Sequence, residues 1–441
     1  MKKSKIGFIS LGCPKNQVDT EVMLRHLVDA GYEIVDEDIK ADILIINTCA
    51  FIESAKQESI DTILDAAWLK QKQLKAIIVT GCMAERYRDE VMSGMPEVDA
   101  VVGCGSIHEI VHAVEEVEKG HTFTSYLPME SLDLGGERVI TTPEYMAYLK
   151  IAEGCDNRCT YCAIPMIRGG FRSRTIDSLV AEAKSLEKCG VQELVLVAQD
   201  TTRYGIDLTG KYELPALIDA ICRETQIPWI RLLYCYPDKI TEELVATIRD
   251  NPRVVKYIDL PVQHISDHVL RRMNRHGGRA QIVDAVMRLR REIPDIVIRT
   301  TAIVGFPGET EEDFTELCAF VKETKFDRLG VFPYSQEEGT PAAEFEDQIE
   351  EQVKQDRCDT LMSIQLEITQ AQNERMIGTK RTVLCEGYDV VAESYYGRSY
   401  ADAPDVDGKV YFSSARKLAE GEFVTVEITE VLDYDLVGRV I

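Results

Sequence analysis

From residue 146 to about 370 the chain repeats one rhythm six times, a short apolar run followed by a helical pattern. The runs fall at 147–152, 193–198, 229–234, 256–260, 296–304 and 329–334. Helical periodicity lies between them at 176–189, 215–224, 242–249, 280–291 and 310–324. Strands that alternate with helices must run parallel, because each helix carries the chain back to the same edge before the next strand begins. Six such units predict a partial (β/α)6 barrel, with its site in the loops after the strand C-termini.

The loop after the first of these strands reads Gly154-Cys155-Asp156-Asn157-Arg158-Cys159-Thr160-Tyr161-Cys162. Its three cysteines, spaced C-x3-C-x2-C, cannot all pair as disulfides. They are also one short of the four ligands that a structural zinc or an iron–sulfur cluster usually takes. Three thiolates on one short loop therefore predict a metal centre with an open position. The bland alternative is a zinc knuckle whose fourth ligand lies elsewhere.

The first 125 residues form a second alternating segment. Strands are expected at 5–11, 41–46, 75–79 and 98–102, and helices at 21–30, 54–69 and 107–119. Cys13, Cys49 and Cys82 each stand at the end of one of these strands. Ligands of an open parallel sheet bind beyond the strand C-termini, so three cysteines so placed can converge although they are distant in sequence. Buried apolar cysteines would be the plain alternative for any one of them. Cys104 ends a fourth strand, and spacing alone leaves it open as a further ligand. Cys189, Cys222, Cys235, Cys318, Cys358 and Cys385 are scattered through helical and strand patterns and read as core residues.

Between the two alternating segments, 126–145 has little periodicity and reads as a linker. A long polar helix, 348–375, leads into a tail of short alternating runs at 381–386, 390–394, 409–412 and 422–429. These suggest a small antiparallel β-barrel. The expected order is thus 1–125, linker 126–145, 146–373 and 374–441. The fold class is α/β with an open parallel sheet domain, a partial (β/α)6 barrel and a small antiparallel barrel.

Composition narrows the partner. The chain of 441 residues carries a net charge of -25, which argues against non-specific binding of phosphate backbones. The tail from Glu374 to Ile441 holds thirteen acids against eight bases. A basic protein suits such a surface better than a nucleic acid does. Thirteen cysteines clustered in motifs fit a reducing compartment, and the apolar run at the N-terminus is too short for a signal peptide. The chain is expected to be soluble and cytoplasmic, with no membrane segment and no oligomeric partner.

Cys155-x3-Cys159-x2-Cys162, with Tyr161 before the last cysteine, resembles the signature of the radical S-adenosylmethionine (SAM) enzymes. With the strand-end cysteines and a tail resembling a TRAM domain, the chain resembles the methylthiotransferases from end to end. Ser10-Leu11-Gly12-Cys13-Pro14-Lys15-Asn16, Asn47-Thr48-Cys49-Ala50-Phe51-Ile52-Glu53-Ser54-Ala55, Ile164-Pro165-Met166-Ile167-Arg168-Gly169 and Ser173-Arg174 resemble the type that modifies an aspartate of ribosomal protein S-twelve (uS12). The tRNA-modifying relatives typically show Gly-Cys-Gln-Met-Asn in the first of these motifs.

The resemblance implies two [4Fe–4S] clusters. One, on Cys155, Cys159 and Cys162, chelates SAM and cleaves it to a 5′-deoxyadenosyl radical. The other, on Cys13, Cys49 and Cys82, delivers sulfur that is methylated by a separate SAM. Cys104 lies outside the family motifs and is left out of the ligand set. The resemblance also implies S-twelve as partner, free or in the small subunit, and an electron donor such as flavodoxin or ferredoxin. Tyr161, Gln199, Gly305 and Pro307 are the candidate SAM contacts, the last two because Gly305-Phe306-Pro307-Gly308-Glu309 resembles the SAM-adenine motif. Asp200, Gln263 and His264 are expected to point at the same mouth. Arg168, Arg172 and Arg174 are expected to meet an anionic group or to remain solvated. Two rivals remain: a tRNA methylthiotransferase acting on an adenosine near the anticodon, and a non-catalytic, metal-stabilised ribosome-binding protein.

Overall fold

The computed structural model describes residues 3–441. Strands β1 (Lys5–Ser10), β2 (Glu33–Ile34), β3 (Ile43–Thr48), β4 (Ala76–Gly81), β5 (Ala100–Val102) and β6 (Phe123–Ser125) form one parallel sheet in the order β2-β1-β3-β4-β5-β6. Every residue of β3 and β4 is buried, as expected of central parallel strands covered on both faces. One face packs on Met23, Leu27, Ile110 and Val114, and the other on Ile63, Ala66 and Val91. The short strands β2 and β6 escaped the sequence reading because two or three mostly polar residues give no periodic signal. The first helix runs Pro14–Asp29 rather than starting near residue 21. Pro14 occupies its first turn, where a missing N–H costs nothing.

The second sheet matches the expected rhythm. Strands β7 (Met146–Lys150), β8 (Glu193–Val197), β9 (Trp229–Leu232), β10 (Val254–Asp259), β11 (Val297–Val304) and β12 (Arg328–Pro333) lie in sequential order, all parallel. Its largest core cluster joins alternate strand residues such as Leu194, Leu196, Ile230 and Ile258 to the helices outside. Inward residues follow the opposite alternation, with Tyr148, Val195, Val197 and Tyr257 meeting Val18 from the first helix and Leu384 and Ala403 from the tail. The partial barrel is therefore filled from two sides, by the N-terminal unit above and the C-terminal barrel below.

That barrel is closed, in the order β13 (Lys380–Asp389), β14 (Ser394–Ser399), β15 (Val410–Ser413), β17 (Asp435–Val440), β16 (Phe423–Leu432). Closure removes every free edge. The second strand was expected at 390–394. It starts only at Ser394, and Val390 and Val391 stand exposed in the turn before it. Nor is the expected linker structureless. It holds the edge of the first sheet through the Ser106 hydroxyl, which accepts the Leu127 N–H at 2.7 Å. Arg138 donates to Glu182 at 2.8 Å and also pairs with Glu21. Among the described residues, no helix is long and apolar enough to cross a membrane.

Candidate functional site at the junction of two cysteine sets

Strand β7 hands the chain to a short ribbon, Ala152–Glu153 paired antiparallel with Arg172–Ser173, and the three-cysteine loop is the excursion between its two strands. The Gly169 carbonyl accepts from the Cys155 N–H at 3.1 Å. The Thr160 N–H and hydroxyl donate to Met273 and Arg272 carbonyls at 3.0 and 2.8 Å, and Asn157 donates to Asp200 at 2.8 Å. Burial pushes the Cys155 thiol up to about 11, and burial with the neighbouring Cys159 pushes Cys162 up to about 12. Such thiols stay protonated near neutral pH unless a metal displaces the proton, and metal ligation is what makes buried thiolates affordable. Cys159 Sγ lies 3.6 Å from the Tyr236 hydroxyl, over whose ring the buried Arg275 sits at 4.1 Å.

Gly154 fixes where the loop starts. Its φ is +78°, and a Cβ there would stand 2.0 Å from the Gly170 carbonyl oxygen and 2.7 Å from that of Gly169. These are backbone atoms that cannot rotate away. Gly154→Ala is therefore expected to lower stability by about 2 kcal/mol or more through left-handed strain and clash. It should also reduce reconstituted iron, and wild-type melting with full iron would refute this.

The second set lies at the ends of neighbouring strands of the first sheet. Cys13 caps the helix Pro14–Asp29 after β1, Cys49 follows β3, and Cys82 opens the helix Cys82–Tyr87 directly after β4. A Cβ on Gly12 would stand 2.9 Å from Cys49 Cβ, so the first two turns touch. Cys82 Sγ is 3.7 Å from Asn16 Oδ1. Burial, then the Cys82 sulfur, pushes the Cys49 thiol up to about 12. Cys82 behaves oppositely. A hydrogen bond with the Cys104 thiol, then the Arg168 guanidinium, holds it below the usual thiol range against burial. Cys104, buried at the end of β5, is thus a neighbour of the set, which the sequence alone did not show. Among the described residues, no three His, Cys, Asp or Glu side chains close on one point as ligands of a single ion would. A cluster of several irons does not require that.

Between the two sets lies a buried network of charges that the sequence did not reveal. Arg168 ends the helix Ile164–Arg168 that leaves the three-cysteine loop. It donates to Asp19 at 2.6 Å, Asn16 at 2.6 Å and Glu153 at 3.3 Å, and its Nη2 lies 3.4 Å from Cys82 Sγ. Lys150 at the end of β7 donates to Glu153 at 2.8 Å and also pairs with Asp19. Arg168 is therefore neither solvated nor free for an anion. Arg174 pairs with Glu182 at 2.6 Å, and Arg172 donates to the Leu132 carbonyl at 3.2 Å, so the other two arginines are committed as well. Two acids and two bases, all buried, compensate one another, as charges removed from water must. A further clasp lies nearby, where Arg86 donates to Glu337 and to the Ala50 carbonyl at 2.7 and 2.8 Å.

The candidate SAM contacts divide. Tyr161 meets the Phe306 ring edge-on at 6.5 Å, so the cysteine loop and the Gly305–Glu309 turn do adjoin. Gly305 approaches Lys354, and the Pro307 carbonyl accepts from Arg272 at 3.0 Å. Gln199 donates to Glu153 instead of standing free, although its Oε1 has no partner. Asp200 accepts from Asn157 and Thr202. Gln263 adopts φ +67° with no hydrogen bond to Oε1, and His264 is buried with no hydrogen bond to Nε2, which lies 3.9 Å from Glu309 Oε2. Of the scattered cysteines, Cys235, Cys358 and Cys385 are buried, whereas Cys189 is exposed at a helix end.

Comparisons with known proteins agree with this layout. Residues 5–103 match Uncharacterized protein family UPF0004, residues 149–321 the Radical SAM superfamily, and residues 377–441 the TRAM domain. A relative from Thermoanaerobacter sp. is 51% identical over 98% of this chain and 99% of its own. One from Geobacter sulfurreducens is 50% identical over 100% and 99%. Both are named ribosomal protein uS12 methylthiotransferase RimO. Among solved structures, the radical SAM methyltransferase TsrM from Kitasatospora setae superposes with a TM-score of 0.57 at 14% identity, covering 86% of this chain and 81% of that one. The cobalamin-dependent radical enzyme OxsB gives 0.51 at 14%, covering 84% and 56%. At such identities these two share the fold alone. Radical SAM membership brings one [4Fe–4S] cluster and SAM. The chain belongs to the RimO family of radical SAM methylthiotransferases.

Proposed function

We propose that the chain methylthiolates the β-carbon of an aspartate in ribosomal protein uS12, free or in the small subunit. Cys155, Cys159 and Cys162 hold the SAM-binding [4Fe–4S] cluster, and Cys13, Cys49 and Cys82 hold a second one that serves sulfur insertion. The observation that carries this reading is the meeting of both trios at one buried network, with Arg168 leaving one trio and touching Cys82 of the other. A non-catalytic binder would have no use for two open metal centres at one junction.

When bound, cluster and SAM supply radical chemistry, which an unactivated C–H bond requires and no side chain can provide by deprotonation. The chain's own residues do the rest. The helix Pro14–Asp29 roofs the partial barrel and shields the junction from water through Val18 and Asp19. Tyr161, Gln199, Gly305 and Pro307 line the SAM side. An electron donor such as flavodoxin or ferredoxin, a monomeric state, a cytoplasmic setting, and division at 1–125, 126–145, 146–373 and 374–441 complete the reading.

Its test is an anaerobic reaction of the iron-reconstituted chain with uS12 and with tRNA, read by mass spectrometry. uS12 is expected to gain the mass of a methylthio group in place of hydrogen. Modification of tRNA alone would favour the rival reading. Cys104→Ala is expected to leave iron and sulfide content unchanged, since the trio alone ligates. A loss of iron matching that of Cys82→Ala would make Cys104 a ligand.

A further inference from the structure

Lys15 is buried, with 7% of its surface exposed, two residues after Cys13. Its ammonium crosses from the N-terminal unit to the mouth of the partial barrel, where it lies 3.4 Å from the ring centroid of Tyr234, just beyond β9. Tyr234 is held for this contact in a left-handed conformation, φ +60°, with its N–H donating to Asp259 at 2.9 Å. Non-glycine residues adopt that conformation at a cost and gather at functional sites.

Four other buried bases around the junction have a carboxylate, whereas Arg275 has the Tyr236 ring and the Pro261 carbonyl. Lys150 and Arg168 share Asp19 and Glu153, Arg86 has Glu337, and Arg174 has Glu182. Among the described residues, no carboxylate lies within ion-pair distance of Lys15. The Cys13 sulfur and Glu153 act on this ammonium only from beyond ion-pair distance, so its one direct contact is an aromatic face, and a cation–π contact returns less than burial removes. The position therefore calls for an anion, and it adjoins the place where the second cysteine set faces the barrel mouth.

We propose that Lys15 is a substrate-binding, specificity-determining residue whose ammonium receives the carboxylate of the target aspartate. This rests on the aspartate reading above and adds the residue that recognises it. The chemistry suits the task. In aspartate the reacting β-carbon is two bonds from the carboxylate oxygens, so anchoring those oxygens fixes the carbon. An asparagine at the same place offers no charge, and an adenosine base offers no anion. The carboxylate of SAM has the same chemistry, so the test must separate the two sources.

Equilibrium binding of purified uS12, and of uS12 with asparagine in place of the target aspartate, is measured on the iron-reconstituted chain. Methylthiolation kinetics on uS12 and equilibrium SAM binding accompany it. Lys15→Met is expected to weaken uS12 binding by about 10- to 150-fold, the worth of a charge-assisted hydrogen bond. It should raise KM more than it lowers kcat and leave the asparagine protein within about twofold, with SAM affinity retained. Lys15→Arg should recover part of the preference for aspartate. Equal loss on both proteins overturns the proposal, as does an unchanged preference for aspartate. Loss of SAM affinity instead assigns the anion to SAM and overturns it too. Should Lys15→Met fail to hold iron, Lys15→Arg decides, because an aspartate preference as low as an uncharged residue would give refutes the anchor. A wild-type chain that modifies tRNA and not uS12 removes the aspartate reading itself, a failure visible without any variant.

Discussion

Cys155→Ala is expected to reduce formation of 5′-deoxyadenosine from SAM to background, whereas Cys49→Ala leaves that cleavage running and stops methylthiolation of uS12. The two thiols are buried alike and burial pushes both up, to about 11 and about 12, so neither substitution removes a charged group. What separates them is position. Cys155 leaves β7 on a loop pinned by Gly169, Met273 and Arg272, and the SAM candidates Tyr161 and Gly305 adjoin that loop. Cys49 lies across the network, in contact with the Gly12 turn. Each substitution should cost one set its iron and leave the other loaded, so iron and sulfide analysis reads the outcome independently of activity. Full methylthiolation by Cys49→Ala would end the two-centre reading. Loss of SAM cleavage in both would mean one shared centre.

Much of this arrangement was legible because parallel strands announce themselves. β3, β4, β7 and β8 are buried along their whole length, so their sequences are apolar runs that periodicity finds. Strand-end cysteines could be read for the same reason, since the C-terminal edge of such a sheet is where ligands gather. The C-terminal barrel was less legible. β17, with sequence DLVGRV, is only half apolar, and the apolar pair Val390 and Val391 turned out to be a turn. Least legible was the charge network. Asp19 and Arg168 are 149 residues apart, and each alone resembles any charged residue on a helix. Local pattern reports which face of an element is buried, not which charge from another element meets it there. Lys15 is hidden likewise, since its motif carries no chemistry of its own until the fold sets the ammonium over Tyr234.

The largest stability effect is expected below the partial barrel. Glu193, the first residue of β8, is fully buried and accepts from Arg231 Nε of β9 at 2.6 Å and from Arg398 Nη2 of β14 at 2.6 Å. Against burial, which alone would raise it, the two guanidiniums hold its carboxyl below the usual range. Glu193→Gln keeps the shape and removes the charge. Arg398 would retain Glu386 at 2.7 Å, but Arg231 would keep only the Tyr400 carbonyl and the Tyr257 ring. Stranding a buried charge in this way costs about 3–5 kcal/mol, a large part of the 5–15 kcal/mol typical of a domain. The C-terminal barrel should loosen first, because Arg398 is one of its ties to the sheet, and limited proteolysis after residue 374 should accelerate. The pH dependence follows from the sign of the shift. The folded carboxyl titrates below the unfolded one, so its contribution is present above the unfolded value and is lost as pH falls through the folded one. Glu193→Gln should flatten that acid limb of the denaturation midpoint. Pairing it with Arg231→Met should restore part of the loss, since the two changes share one interaction. A double variant no more stable than Glu193→Gln alone would show that the stranded guanidinium is not the cause.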